Sequence, residues 1–288
     1  MRLRMISLLI LIFVFTAFAP LFPAGEVVSK VVPWSGWWWP RRKCQLAKAG
    51  WLSKSPLEKY EMAFPTVEGK KNQAVDWEKE YHSSRKSWHG HCNGWAAASF
   101  MEKEPVKVKK YKGIEFGVSD QKGLLCESYM VTRHHFFGTR YNGRGDNFDD
   151  IYPHVFQYLL MENLQKKGIP IVMDMSADES VWNYPVYAYK LESKAKGNKA
   201  HVKLRIWACD DNVDMNFVGT QYLTKDYTYT LFMDASGNIT GSEWTGRSKK
   251  DHPDFVWIPY QNIPPHAEDG DENPWVQYPL LKKMLKLK

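Results

Sequence analysis

Ser87-Trp88-His89-Gly90-His91-Cys92-Asn93-Gly94-Trp95-Ala96-Ala97-Ala98-Ser99 sets one cysteine where a turn hands over to a run of small residues. Gly90 and Asn93-Gly94 read as the turn and Trp95 to Lys103 as a helix, because alanine costs least in a helix and glycine tolerates a strained entry. Cys92 then lies over free backbone N–H groups at the positive end of the helix dipole, and both favour a thiolate, the nucleophilic form. The competing reading is a structural cysteine buried beside a packing tryptophan, and the motif by itself does not choose between them.

A cysteine nucleophile needs a base, and the base needs an orienting group. Of nine histidines, His201 opens a strand, where a side chain can be held rigidly, on the face shared with Lys203, Arg205 and Trp207 and away from Val202, Leu204 and Ile206. Asp234, at the end of the next long strand, is the candidate to hold the second imidazole nitrogen; its alternative is a turn residue capping Ser236 or Gly237. His89 and His91 read as loop shapers, since neighbours in a tight turn point in different directions, and His252 is the reserve base. For an oxyanion, the Cys92 backbone N–H is one donor and Trp88 Nε1 a candidate second.

These residues need a scaffold, and 288 residues with 44% hydrophobic and 15% aromatic content can supply a substantial core. Residues 1–24 carry Arg2 and Arg4, an apolar run from Ile6 to Phe22 and a small-residue exit, the pattern of a secretory signal. Its removal lowers the formal charge from +7 to +5, a scattered basicity that argues for no nucleic-acid partner, and no later run is long enough to span a bilayer. Residues 25–80, rich in Trp, Pro and Lys, read as an irregular arm laid over the catalytic domain of residues 81–288. Helices are expected over Lys122–Met130 and Tyr152–Lys167, the latter ended by Gly168 and Pro170; the period then changes to two, giving strands near 169–174, 184–190, 201–208, 227–234 and 238–244 with a turn at Asp234–Asn238. Helices first and antiparallel strands second make the fold α+β, with the N-terminal helices packed on an antiparallel sheet.

Export permits disulfides, but a catalytic Cys92 leaves only Cys44, Cys126 and Cys209, hence at most one bridge. No Cys-x-x-Cys pair exists, and only His89/His91 and His134/His135 are closely spaced, so neither a structural zinc site nor any other cofactor is called for. Asp269-Gly270-Asp271-Glu272-Asn273 begins like a calcium loop but lacks the later glycine and distal glutamate, and it reads as a solvated acidic turn. The Arg144-Gly145-Asp146 tripeptide sits in a glycine-rich loop and reads as loop chemistry.

Gly90-His91-Cys92-Asn93-Gly94-Trp95-Ala96-Ala97 resembles the nucleophile motif of the elicitor-type transglutaminases, and Val181-Trp182-Asn183-Tyr184-Pro185-Val186 resembles the fragment by which plants recognise the plant-pathogen members. Lys112-Gly113-Ile114-Glu115-Phe116, Asp120-x-Lys122-Gly123-Leu124-Leu125, His201-Val202-Lys203, Asp234-x-x-Gly237-x-Ile239, Glu243-Trp244 and His252-Pro253-Asp254-Phe255-x-Trp257 extend the likeness over roughly residues 85–260 in the same order. The resemblance implies a papain-like cysteine-proteinase core, Cys92 acting with His201 and Asp234, and protein-glutamine γ-glutamyltransferase activity. It also implies that Trp182 and Pro185 lie on an exposed segment outside the chemistry. Departures at Tyr184 and Tyr187-Ala188 mean that elicitor activity does not follow from it.

The activity so implied joins a protein or peptide glutamine to a lysine or other amine through a Cys92 thioester, outside the cytoplasm. Two other classes use the same sequence: a cysteine peptidase or glutamine deamidase with water as acceptor, and a non-enzymatic exported binding protein presenting its tryptophans.

Overall fold

The computed structural model describes residues 25–48, 54–140, 150–176, 178–260 and 273–287. Residues 1–24, read above as a signal, the Arg-Gly-Asp loop and residues 269–272 of the expected acidic turn lie outside them. In chain order the strands are β1 (Gly25–Val28), β2 (Thr66–Val67), β3 (Lys70–Lys71), β4 (Lys109–Tyr111), β5 (Ile114–Phe116), β6 (His134–Gly138), β7 (Ile171–Met173), β8 (Tyr184–Lys196), β9 (Lys199–Cys209), β10 (Tyr222–Met233), β11 (Ile239–Trp244) and β12 (Phe255–Pro259). The helices are α1 (Pro56–Ala63), α2 (Ala74–Tyr81), α3 (Cys92–Met101), α4 (Val118–Ser128), α5 (Pro153–Leu160) and α6 (Tyr278–Leu285).

Eight strands form one antiparallel sheet in the order β11-β10-β9-β8-β7-β12-β6, with β1 also paired to β8. Alternation builds its long central strands: Ala200, Val202, Leu204, Ile206 and Ala208 of β9 are buried, while His201, Lys203 and Arg205 face solvent. One core lies where α5 covers the sheet, through Phe156, Leu160, Tyr189, Leu204 and Tyr229. The second gathers α1, α3, α4 and α6 around the fully buried Trp95 with Leu57, Leu124 and Leu281. Cys92 starts the helix of this second core, and α3 packs on both α4 and β8, so the nucleophile candidate stands at the seam between helices and sheet.

Local chemistry accounts for the helix ends. Ser55 and Glu58 cap α1 reciprocally, with Pro56 in the first turn. A π-helical stretch, Met161–Lys167, continues α5 until Gly168 takes φ +74°.

The expected irregular arm is instead part of the fold. Residues 25–80 contribute β1, α1 and α2, and Trp34 and Trp39 are core residues. Lys122, buried in α4, donates to the carbonyls of Ser35 and Phe217 and to Glu104 at 2.7 to 2.8 Å, and lies over the Trp34 ring. A buried ammonium is tolerated only when its donors are spent in this way, so the segment is fastened rather than draped. Period reading missed these pieces because tryptophans and prolines in short runs carry no helix or strand period.

Candidate active site

Cys92 occupies the first position of α3, with His91 as N-cap. Two backbone hydrogen bonds fix the turn before it: His91 N–H to Trp38 O at 2.7 Å and Arg41 N–H to His89 O at 2.9 Å. Gly90 is required there, since a Cβ would stand 2.4 Å from the Trp38 ring. Gly94 serves close approach rather than a strained φ: a Cβ on it would lie 2.1 Å from the Cys126 carbonyl oxygen of α4.

Cys92 opens onto a cavity of about 450 Å³ whose walls include Trp88, His89, His134, Asn183 and Trp257. Asn183 Nδ2 donates to Cys92 Sγ at 3.4 Å, and Asn183 Oδ1 accepts from Trp257 Nε1 at 2.8 Å. An indole nitrogen only donates, so Trp257 must face the amide oxygen and turn the NH₂ towards the sulfur. Trp182 packs edge-on against Trp38 at 5.3 Å between ring centroids, and Pro185 is buried. The Val181–Val186 segment is thus a wall of the site, not the exposed segment that the resemblance implied.

Burial, then the charges of Asp211 and Asp174, push the Cys92 thiol up to about 11, against the opposing hydrogen bonds of Asn183. Desolvation and neighbouring carboxylates thus favour the thiol, opposite to the thiolate expected from the helix terminus. Asp211 follows β9 by two residues; burial, then Asp210, raises its carboxyl to about 7. Asp174 follows β7; burial, then Asp254, raises it to about 8. Both titrate near neutrality, where a proton carrier is useful.

The expected Cys92, His201 and Asp234 triad does not assemble. His201 pairs with Lys194 of β8, eleven residues beyond Asn183, which is roughly 35 Å along a strand. It is exposed, with Nδ1 3.2 Å from the Thr230 hydroxyl. Asp234 is the turn residue of its alternative reading: Oδ1 accepts the N–H groups of Ser236 and Asn238 at 2.9 and 2.8 Å. The reserve base His252 is spent elsewhere, its nitrogens bonded to Ser248 O and Asp150, both at 2.9 Å, with its ring stacked on Trp244. Trp88 does line the cavity, beneath Arg140 and Lys86.

Two other imidazoles share the cavity with Cys92. His134 Nδ1 donates to Thr132 O at 2.6 Å, which leaves Nε2 with the lone pair. His89 bonds Ser84 Oγ at 2.8 Å, and burial with the nearby Lys86, Arg41 and Arg140 lowers its affinity for a proton. Asn183 and Trp257 were legible only as carriers of the resemblance; Asp174 and Asp211 carried no signal beyond strand-end and turn composition.

Residues 78–210 and 210–269 match the family described as Transglutaminase elicitor, two thirds of the chain. Among solved structures, the crystal structure of the GP42 transglutaminase from Phytophthora sojae superposes with a TM-score of 0.74 at 21% identity, covering 91% of this chain and 90% of that one. At that identity the superposition establishes a shared fold. No curated protein matches the sequence. By the extent of the family match, the chain belongs to the transglutaminase elicitor family.

Proposed function

We propose that the protein is an exported protein-glutamine γ-glutamyltransferase, with a papain-like meeting of helix and sheet and with Cys92 as its nucleophile. Cys92 Sγ attacks the side-chain amide carbon of a glutamine while Asp211, whose charge acts on the thiol more than that of any other group, takes the proton. The oxyanion accepts from the Cys92 backbone N–H and from Asn183 Nδ2, which Trp257 holds in orientation. As the C–N bond breaks, ammonia leaves with the proton, and a thioester remains. A lysine amine then attacks the thioester, gives up its proton to the same carboxylate, and releases Cys92 and an isopeptide.

The observation that carries this reading is the Asn183 amide fixed on the sulfur at the wall of a cavity wide enough for a side chain. It is supported by membership of the family. Incubating the protein without residues 1–24 with a glutamine peptide and a labelled primary amine tests it. Amine-labelled peptide with stoichiometric ammonia is the expected product. Ammonia with glutamate at the same position, unaffected by added amine, would make the protein a deamidase.

A further inference from the structure

Behind the Cys92 turn, Glu78 of α2, His82 at its C-cap, His91, and Glu127 of α4 bring four side chains together, all buried, with donor atoms within 4.8 Å of one another. His82 Nδ1 lies 3.1 Å from His91 Nε2 and 2.8 and 3.6 Å from oxygens of Glu78 and Glu127. His91 Nε2 lies 3.2 and 3.1 Å from the other oxygens of Glu78 and Glu127. A tetrahedron of nitrogen and oxygen ligands around an ion with bonds of about 2.0–2.1 Å has edges of about 3.3 Å; the two imidazole nitrogens, 3.1 Å apart, match one such edge, and one oxygen of each carboxylate lies within 4.8 Å of both.

Two features aim the cluster at a cation. Glu78 Oε1 and Glu127 Oε2 are fully buried and converge on the same nitrogen, His91 Nε2, at 3.2 and 3.1 Å. The two imidazole nitrogens face each other at 3.1 Å between the carboxylates, so all four side chains point at one place. The outer contacts suit the same end: His91 Nδ1 bonds Trp39 O at 2.8 Å, which fixes a proton there and turns Nε2 towards the cluster, and Asn273 N–H at 3.0 Å holds Glu127 Oε1. We propose that Glu78, His82, His91 and Glu127 form a four-coordinate site for a divalent transition ion, zinc by geometry and donor type. Two imidazoles exclude a hard calcium site, and two carboxylates with two neutral imidazoles balance the charge of the ion. With all four positions filled by protein, the site is structural: it ties α2 and α4 to the residue that precedes the nucleophile candidate. Sequence reading set zinc aside because the ligands are His and Glu at scattered spacings, with only Glu78 and His82 one turn apart.

In the alternative state no ion binds and the four groups form an ion quartet, in which Glu78 and Glu127, against the opposing effect of burial, push His91 up to about 10. Elemental analysis separates the two, independently of any enzymatic activity. The protein, purified without chelator and dialysed, should hold about one zinc per chain. Stripping with a strong chelator should lower its melting temperature, and zinc should restore it. Cobalt in the stripped protein should give the intense visible bands of a tetrahedral ion, and these should be lost in Glu78→Gln and Glu127→Gln. Because the wild-type measurements stand alone, a variant that fails to fold leaves the test intact. Protein that holds no zinc as purified and, after stripping, shows no shift of melting temperature with a molar excess of it would overturn the site, as would uptake of calcium in its place.

Discussion

Asn183 places its side-chain NH₂ 3.4 Å from Cys92 Sγ across 91 residues of sequence, and Trp257 holds the other end of the same amide. A neutral donor held on a thiol by a rigid indole is preorganised for a negative charge that forms only during reaction. Asn183→Ala should therefore lower kcat by about 100- to 1000-fold with little change in KM. Trp257→Phe removes one orienting hydrogen bond and should cost about 3- to 10-fold. The double variant should be no worse than Asn183→Ala alone, and steady-state kinetics of all three would show it.

If Asp211 takes the thiol proton, activity should rise with pH through about 7, the value to which burial and Asp210 raise its carboxyl. Asp211→Asn should remove that limb and lower kcat/KM by about 100-fold. It should also lower the thiol pKa of Cys92, because the charge that opposes thiolate is gone; the pH dependence of alkylation by iodoacetamide reads this directly. His201→Ala, at the far end of the sheet, should leave kcat/KM unchanged within about twofold.

Asp174 titrates at about 8 in the fold because it is buried beside Asp254, against an ordinary value of 3.8. The folded state thus binds a proton that the unfolded chain has released, so this group's contribution is fully present below pH 4 and is lost as pH rises through 8. Asp174→Asn should be more stable than wild type at pH 9, with the advantage shrinking towards pH 5. Thermal melts across that range would check the sign.

Glycine in a helix ordinarily costs about 0.5–1 kcal/mol relative to alanine, so Gly94→Ala would be stabilising in open space. Here the added Cβ would stand 2.1 Å from the Cys126 carbonyl, and backbone cannot swing aside. Overpacking of about 1–3 kcal/mol should win, seen as a lower urea midpoint with an unchanged slope.

The elements that sequence reading found are those with a strong local period. Val202, Leu204 and Ile206 announce β9, and Gly168 announces the end of the helix before it. Cys92 was legible for the same reason, since a cysteine before Gly-Trp-Ala-Ala-Ala is a local pattern. Its partners were not. His201 and Asp234 have suitable local settings, but the hairpin register carries them to the end of the sheet away from Asn183. Asn183 and Trp257 come to the Cys92 cavity through strand order, and β7 pairs with both β8 and β12, a non-consecutive neighbour that no window of sequence encodes. The Glu78, His82, His91 and Glu127 cluster was hidden likewise, because its donors come from three helical segments.

The central claim is that the Cys92 sulfur carries the acyl group. Incubation of wild type and Cys92→Ala with a glutamine peptide and a labelled amine, followed by mass spectrometry of peptide and protein, tests it most directly. The account predicts labelled peptide and a thioester adduct mapped to Cys92 in wild type, and neither in a Cys92→Ala protein with an unchanged circular dichroism spectrum. Labelled peptide from Cys92→Ala at even about a tenth of the wild-type rate would contradict it.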